Sequence, residues 1–271
     1  MRLFYLFILS ISILFGTLEA RDKREFVLLT CRYEQGLFSA ADTVLSALRS
    51  YERHEIKGLI VYFDKDGCYY SQEHGRNWWS YYFEPIMVGE LQGHMKRSID
   101  WGSYDSISGI SKTEAHYIIS KHIKANAEIQ ERLTAFTRLY FDGHYVIGVH
   151  YRGTDKITEH RRIAYEDVRS MVQAQTNVNP SAKIFVATDE QNFIDYMQEC
   201  FPGKIIYNHD ALRSKDGKPL HMAHYDRYKA GLDAVMDCLL LSKTDLMIRT
   251  SSNLNRWATY FSPNLPTIDL Y

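Results

Sequence analysis

Several features are missing from this 271-residue chain, and each absence removes a class of protein. There is no basic excess: 32 lysines and arginines face 33 aspartates and glutamates, for a net charge of −1. A chain that neutralises many phosphates needs such an excess, so nucleic acid is excluded as the main partner. The four cysteines, Cys31, Cys68, Cys200 and Cys238, include no C-x-x-C pair, and zinc is set aside with that spacing. Two cysteines fall in each half, so one disulfide per half in an oxidising compartment and buried thiols are both open. No internal repeat is present, and no N-x-S/T sequence free of proline offers a glycosylation acceptor.

Apolar residues, by contrast, make up 45% of the chain, enough for one large core or two modest ones. Twenty tyrosines and four tryptophans are a high aromatic load. Such rings pack on the apolar face of a pyranose while a hydroxyl or indole N–H stays available, although most of them serve as core. The chain opens with Arg2, an apolar run from Leu3 to Phe15, then Leu18-Glu19-Ala20. That is a basic n-region, an h-region of signal-peptide length and a small residue at a cleavage position. A membrane span needs ~20 apolar residues, and the run is short for one. Residues 1–20 therefore read as a secretory signal, with an uncleaved membrane anchor as the alternative. Either places the protein in the secretory pathway, in an ER or Golgi lumen, or exports it.

Beyond residue 20 strands and helices alternate. Phe26–Thr30 and Ile56–Phe63 read as strands on either side of a helix over Phe38–Arg53, where Ala41, Val44, Leu45, Leu48 and Tyr51 recur at helical spacing. Asp64-Lys65-Asp66-Gly67 contains a D-x-D pair of the kind that holds a divalent cation, but its residues are those of a tight turn, which is the stronger reading. Trp78, Trp79, Tyr81, Tyr82 and Phe83 line an acceptor-sugar cleft or plug the core, with the core favoured. Amphipathic spacing from Lys112 to Tyr140 predicts one long helix, or two joined near Asn126, bridging two halves that meet at 142/143. The second half reads as helix Tyr165–Val178, strands Lys183–Ala187 and Ile205–Tyr207, a buried helix Lys229–Ser242, strand Leu246–Ile248, a last helix through Tyr260 and a final strand from Pro266. The polar stretch Asn208–Asp226 has the length of a substrate loop, and its His209, His221 and His224 are metal ligands or, as their irregular spacing favours, ordinary loop histidines.

The strand Tyr145–His150 delivers its end into a polar cluster: His150, Arg152, Thr154, Asp155 and Lys156. In open α/β sheets ligands bind outside the carboxyl ends of strands. Arg152 offers a planar fork of donors suited to a phosphate, Lys156 a compact charge, and Gly153 a close backbone approach. An Arg152–Asp155 ion pair closing the loop explains the same residues equally well. Asp189 ends the next strand and is also placed to cap the following helix. Asp233 and Asp237 share one helix face, where a buried carboxylate needs a partner such as a guanine base or Arg249. Ser251 and Ser252 open a helix, as an anion site or as plain N-caps.

The heptad His150-Tyr151-Arg152-Gly153-Thr154-Asp155-Lys156 resembles the donor-binding motif H-x-R-R-T-D-K of the α1,6-fucosyltransferases. That family includes the nodulation fucosyltransferases and the animal enzymes that fucosylate the N-glycan core. Two later stretches match in the same order, Ala187-Thr188-Asp189-Glu190 and Asp237 through Thr250-Ser251-Ser252-Asn253, so the likeness covers the C-terminal ~125 residues. Upstream only Phe83-Glu84-Pro85 matches, and the motif's second arginine is Gly153 in this chain.

The resemblance implies an α/β fold with two Rossmann-like domains facing a cleft, the GT-B type. Residues 21–142 would form the acceptor side and 143–271 the nucleotide-sugar side. It implies inverting transfer of fucose from GDP-fucose to a glycan acceptor without a metal. Arg152 then holds the β-phosphate with Ser251 and Ser252, while His150 and Asp237 read guanine and ribose and Asp189 belongs to the donor site. Glu159 is the general base, its pKa modulated by Lys156, and it stands one residue closer to that lysine than in the family. A transferase of another donor or linkage is one rival. The other is a secreted protein of the same fold that binds the nucleotide sugar or glycan without turnover.

Overall fold

The apolar runs of the sequence pair into two sheets in the computed structural model, which describes residues 24–31, 36–65, 67–98, 107, 109–153, 163–214 and 226–270. In the first sheet β1 (Phe26–Leu29) lies parallel to β2 (Gly58–Val61) on one side and to β4 (Met95–Ser98) on the other. Strand β3 (Met87–Gly89) runs antiparallel along β2, giving the order β3-β2-β1-β4. Helix α1 (Leu37–Glu52) crosses from β1 to β2 and buries the stripe that its spacing predicts, Ala41, Val44, Leu45 and Leu48. Periodicity does not reveal β3 and β4. Met87 and Met95 are 63% and 48% exposed, and Met95-Lys96-Arg97-Ser98 has no apolar alternation. Backbone pairing alone makes these edge strands.

Asp64 O accepts the Gly67 N–H at 3.2 Å and Asp64 Oδ1 the Lys65 N–H at 2.8 Å, so this stretch is the tight turn; Asp66 lies outside the described residues. Trp78, Trp79, Tyr82 and Phe83 are each at most 1% exposed and belong to the core. The long amphipathic stretch is two helices, α2 (Lys112–His122) and α3 (Ala127–Tyr140). Asn126 ends the run between them: its Oδ1 accepts the Ile129 N–H at 3.0 Å as an N-cap, and its amide donates to Tyr81 O at 2.8 Å.

The second sheet is wholly parallel, in the order β7-β6-β5-β8-β9. It comprises β5 (Val146–Tyr151), β6 (Lys183–Thr188), β7 (Ile205–Ile206), β8 (Leu246–Arg249) and β9 (Thr267–Asp269). All six residues of β5 are buried, as a central strand covered on both faces requires. On one face Ile147, Val149 and Tyr151 pack with Val168 and Val172 of α4 (Tyr165–Val178) and Phe193, Ile194 and Met197 of α5 (Gln191–Cys200). On the other, Phe185 and Met247 join Val235 and Leu239 of α6 (Arg227–Leu241) and Trp257 and Ala258 of α7 (Asn253–Phe261). This second cluster continues without a break into α1, β1, β2 and the aromatic plug, so both sheets share one core. None of the four cysteines forms a disulfide.

The halves are joined by polar contacts as well. Asp42 on α1 accepts from Arg256 Nη2 and, at 2.7 Å, from the Trp257 indole N–H on α7. Tyr82 donates to Tyr228 O at 3.0 Å, at the start of α6.

Candidate functional site

From β5 the chain moves to β6 and β7 on one side and later to β8 and β9 on the other, so the direction of winding reverses between β5 and β8. A crevice opens at the carboxyl ends of strands at such a switch point. Register does the rest. Tyr151 lies opposite Thr188 and His150 opposite Arg249, so the turns after β5, β6 and β8 emerge together. They bring Arg152 and Asp189 to the wall of one cleft, with Gly153 bonded to Asp189 and Thr250 bonded to Arg152 in the same turns.

Arg152 Nε pairs with Asp189 Oδ2 at 3.2 Å, and the other oxygen of Asp189 accepts the Gly153 N–H at 3.3 Å. Thr250 Oγ1 accepts the Arg152 N–H at 3.1 Å and ties the β5 turn to the β8 turn. Asp189 therefore holds the arginine instead of capping α5, whose N-cap is Glu190 and lacks a side-chain cap bond. The cleft has a cavity volume of about 80 Å³ and opens to solvent. Its walls include His150, Arg152, Asp189 and Asp237, with Tyr69 reaching in from the first half.

His150 is 4% exposed, and its pKa is pushed down to about 3, chiefly by burial and then by the Arg152 and Arg249 guanidiniums, so the ring is neutral. The Asn255 amide nitrogen donates to His150 Nδ1 at 2.9 Å and to Thr250 O at 2.6 Å, while Asn255 Oδ1 accepts from Arg249 Nη1 at 3.3 Å. Those three partners fix the amide, and with it the tautomer: Nδ1 accepts, so Nε2 carries the proton and is the ring's donor.

Asp233 and Asp237 do share one face of α6, and both line the cleft. Asp233 is satisfied by Lys229 and by the Leu212 N–H at 2.8 Å. Asp237 differs: its Oδ1 is buried and has no hydrogen-bond partner among the described residues. Burial pushes its pKa up to about 8; nearby Arg213 and Lys229 lower it, and Asp233 and Asp189 raise it. Arg249, considered from the sequence as its partner, is bonded instead to Asp269 and Asn255. Ser252 is the N-cap of α7, accepting the Leu254 N–H at 3.2 Å, and Ser251 immediately precedes it.

The structure thus brings His150, Arg152, Asp189 and Asp237 together, with Ser251 and Ser252 in the adjoining turn. Thr154, Asp155, Lys156 and Glu159 lie outside the described residues, as do His221 and His224; the His209 ring packs 4.0 Å from the Tyr207 centroid. Sequence reasoning missed Tyr69, Thr250 as a partner of Arg152, and Asn255. Asn255 lies three residues after the N-cap of α7, but nothing local marks it as a partner of a histidine more than one hundred positions earlier.

The family model described as Nodulation protein Z (NodZ) matches residues 109–271. Among solved structures the chain is similar to a NodZ α-1,6-fucosyltransferase soaked with GDP-fucose, with 18% identity and a TM-score of 0.57 over 89% of this chain and 94% of that one. Fucosyltransferase NodZ from Bradyrhizobium gives 19% identity and a TM-score of 0.56 over 87% and 92%. POFUT1 in complex with GDP gives 10% and 0.60 over 92% and 98%. At these identities the likeness establishes the fold, and the two-part α/β arrangement expected from the sequence is the one they share. No curated protein shows significant sequence similarity to the chain.

Proposed function

Because this chain belongs to the nodulation protein Z family, we propose that it is a glycosyltransferase moving fucose from GDP-fucose to a glycan acceptor, with inversion at the anomeric carbon. The observation that carries the reading is the buried carboxyl oxygen of Asp237, without a hydrogen-bond partner among the described residues, in the cleft that Arg152 also lines. Guanine offers two adjacent N–H donors, and a buried carboxylate is their matching acceptor. The neutral His150 ring adds a fixed donor on the same wall. Arg152, held by Asp189, takes the β-phosphate with the Ser251–Ser252 turn at the start of α7, where free N–H groups favour an anion. These cationic and dipolar groups stabilise the departing diphosphate, so the reading needs no metal. Glu159 is assigned as the base that deprotonates the acceptor hydroxyl, with Lys156 beside it in sequence.

The test is calorimetric titration of the purified protein with GDP and UDP in EDTA, alongside Arg152→Ala. Metal-independent GDP binding, weakened in the variant by about 1.5–3 kcal/mol for a lost charge-assisted contact, is the expected result. A well-folded protein that binds neither nucleotide refutes the reading. A protein that binds GDP-fucose, yet neither transfers nor hydrolyses it, is a binding protein of the same fold. The signal-like residues 1–20 place the enzyme, under this reading, in a lumen supplied with nucleotide sugar. Sequencing the N-terminus of the exported protein checks that, with Arg21 expected first.

A further inference from the structure

Glu190 is a carboxylate in an unusual place: it is only 6% exposed, one residue beyond the aspartate that holds Arg152. Its position is fixed. The Tyr165 hydroxyl donates to its Oε2 at 2.6 Å, and its N–H donates to Thr188 Oγ1 at 3.2 Å. Tyr165 is itself wedged against Tyr151 and Phe193, with ring centroids 5.2 and 5.0 Å away. The carboxylate so held lies where a side chain at position 153 would begin. A Cβ on Gly153 would stand 2.5 Å from Glu190 Oε2 and closer still to its carboxyl carbon and Oε1. Real contacts to Cβ do not come that near, so a side chain at 153 would push the Glu190 carboxylate away from the Tyr165 hydroxyl that holds it. The Gly153 N–H then reaches one oxygen of Asp189, whose other oxygen holds Arg152.

We propose that Glu190 is a positioning residue for donor binding: packed against Gly153, it seats the Arg152–Gly153 turn on Asp189 and so fixes the direction of the Arg152 guanidinium. The proposal rests on the GDP-fucose reading. It also accounts for the glycine that stands where the resembling motif has arginine. The volume that an arginine at position 153 would need is filled by a carboxylate from the neighbouring strand end. A side chain at 153 fits on this backbone only if the Glu190 carboxylate leaves the position that Tyr165 holds, so the two positions are coupled.

The experiment is a double-mutant cycle with Gly153→Ala and Glu190→Ala, plus Glu190→Gln, read by GDP affinity, by kcat and donor KM, and by thermal unfolding. Gly153→Ala overpacks the turn and is expected to weaken GDP binding about 10- to 100-fold. Adding Glu190→Ala to that variant should recover part of the loss, although Glu190→Ala alone weakens binding. Glu190→Gln, which keeps the shape and the Tyr165 bond, should weaken it less than Glu190→Ala. Donor KM should rise more than kcat falls, which a general loss of stability does not produce. Strictly additive effects, or unimpaired binding by Gly153→Ala, overturn the proposal. A wild-type protein that binds no GDP, with the two substitutions still coupled in thermal unfolding, refutes the donor reading and leaves the packing argument standing.

Discussion

Replacing Asp237 with asparagine changes one hydrogen-bonding atom and one ionisation, and both consequences can be worked out. Burial pushes the Asp237 pKa up to about 8, so at pH 7 roughly nine-tenths of the unliganded molecules carry its proton. A guanine presenting N1–H and its amino group needs both carboxylate oxygens as acceptors, so binding drives the proton off. GDP binding near pH 7 should therefore release close to one proton, and affinity should rise about tenfold per pH unit up to about pH 8, then level. Asparagine supplies one acceptor in place of two and loses a charge-assisted bond, about 1.5–3 kcal/mol. The variant should bind GDP about 10- to 150-fold more weakly at pH 8, with no pH slope. Calorimetry in two buffers of different ionisation enthalpy measures proton release directly. Unlinked binding by the wild type, or equal affinity in the variant, would refute the assignment of Asp237 to the base. The same ionisation acts on folding. The folded chain keeps a proton that the unfolded chain has lost above about pH 4, so unliganded stability falls as pH rises toward 8. The slope for one such proton is about 1.4 kcal/mol per pH unit, and Asp237→Asn should remove it.

Other expectations are as definite. Asp42→Ala removes one acceptor from Arg256 and strands the buried Trp257 N–H at the junction of the halves, and urea unfolding should show a loss of about 1–3 kcal/mol. Because burial raises the Asp42 pKa to about 6, its ionisation also lowers stability as pH climbs between about 4 and 6, and Asp42→Asn should flatten that part of the profile. Asn255→Ala leaves the His150 ring without its fixed donor and should weaken GDP binding by about 1–3 kcal/mol. Gly148→Ala places a Cβ 2.8 Å from Thr244 Oγ1 and 3.1 Å from Leu241 Cδ2. It should cost about 1–3 kcal/mol by thermal or urea unfolding, with Thr244→Ala restoring part.

The parallel sheet was legible because each of its longer strands is an unbroken apolar run between helical stripes; Tyr165–Val178 coincides with its helix end to end. The first sheet was half legible. Strands β1 and β2 announce themselves by composition, whereas β3 and β4 are edges made by backbone pairing, which leaves no periodic trace. At the site, the motif residues His150, Arg152 and Asp189 could be named because they sit at strand ends. Only the capping role read for Asp189 fails, since helix capping is a local rule and the Arg152 bond spans 37 positions of chain. Tyr69 and Asn255 were invisible for the same reason: each enters the cleft through a long-range contact that no local pattern encodes.

The last helix carries a consequence for how the molecule is made. Although α7 belongs by sequence to the second half, it packs its Trp257 ring 5.8 Å from Phe38 on α1, and Tyr260 O receives His116 of α2 at 2.9 Å. The helix layer over the first sheet is thus closed by residues near the end of the chain. Phe38, Asp42 and His116 can therefore gain these partners only after residues 253–261 have been made. A nascent chain stalled before Asn253 would hold a complete set of first-half elements and still lack a finished core.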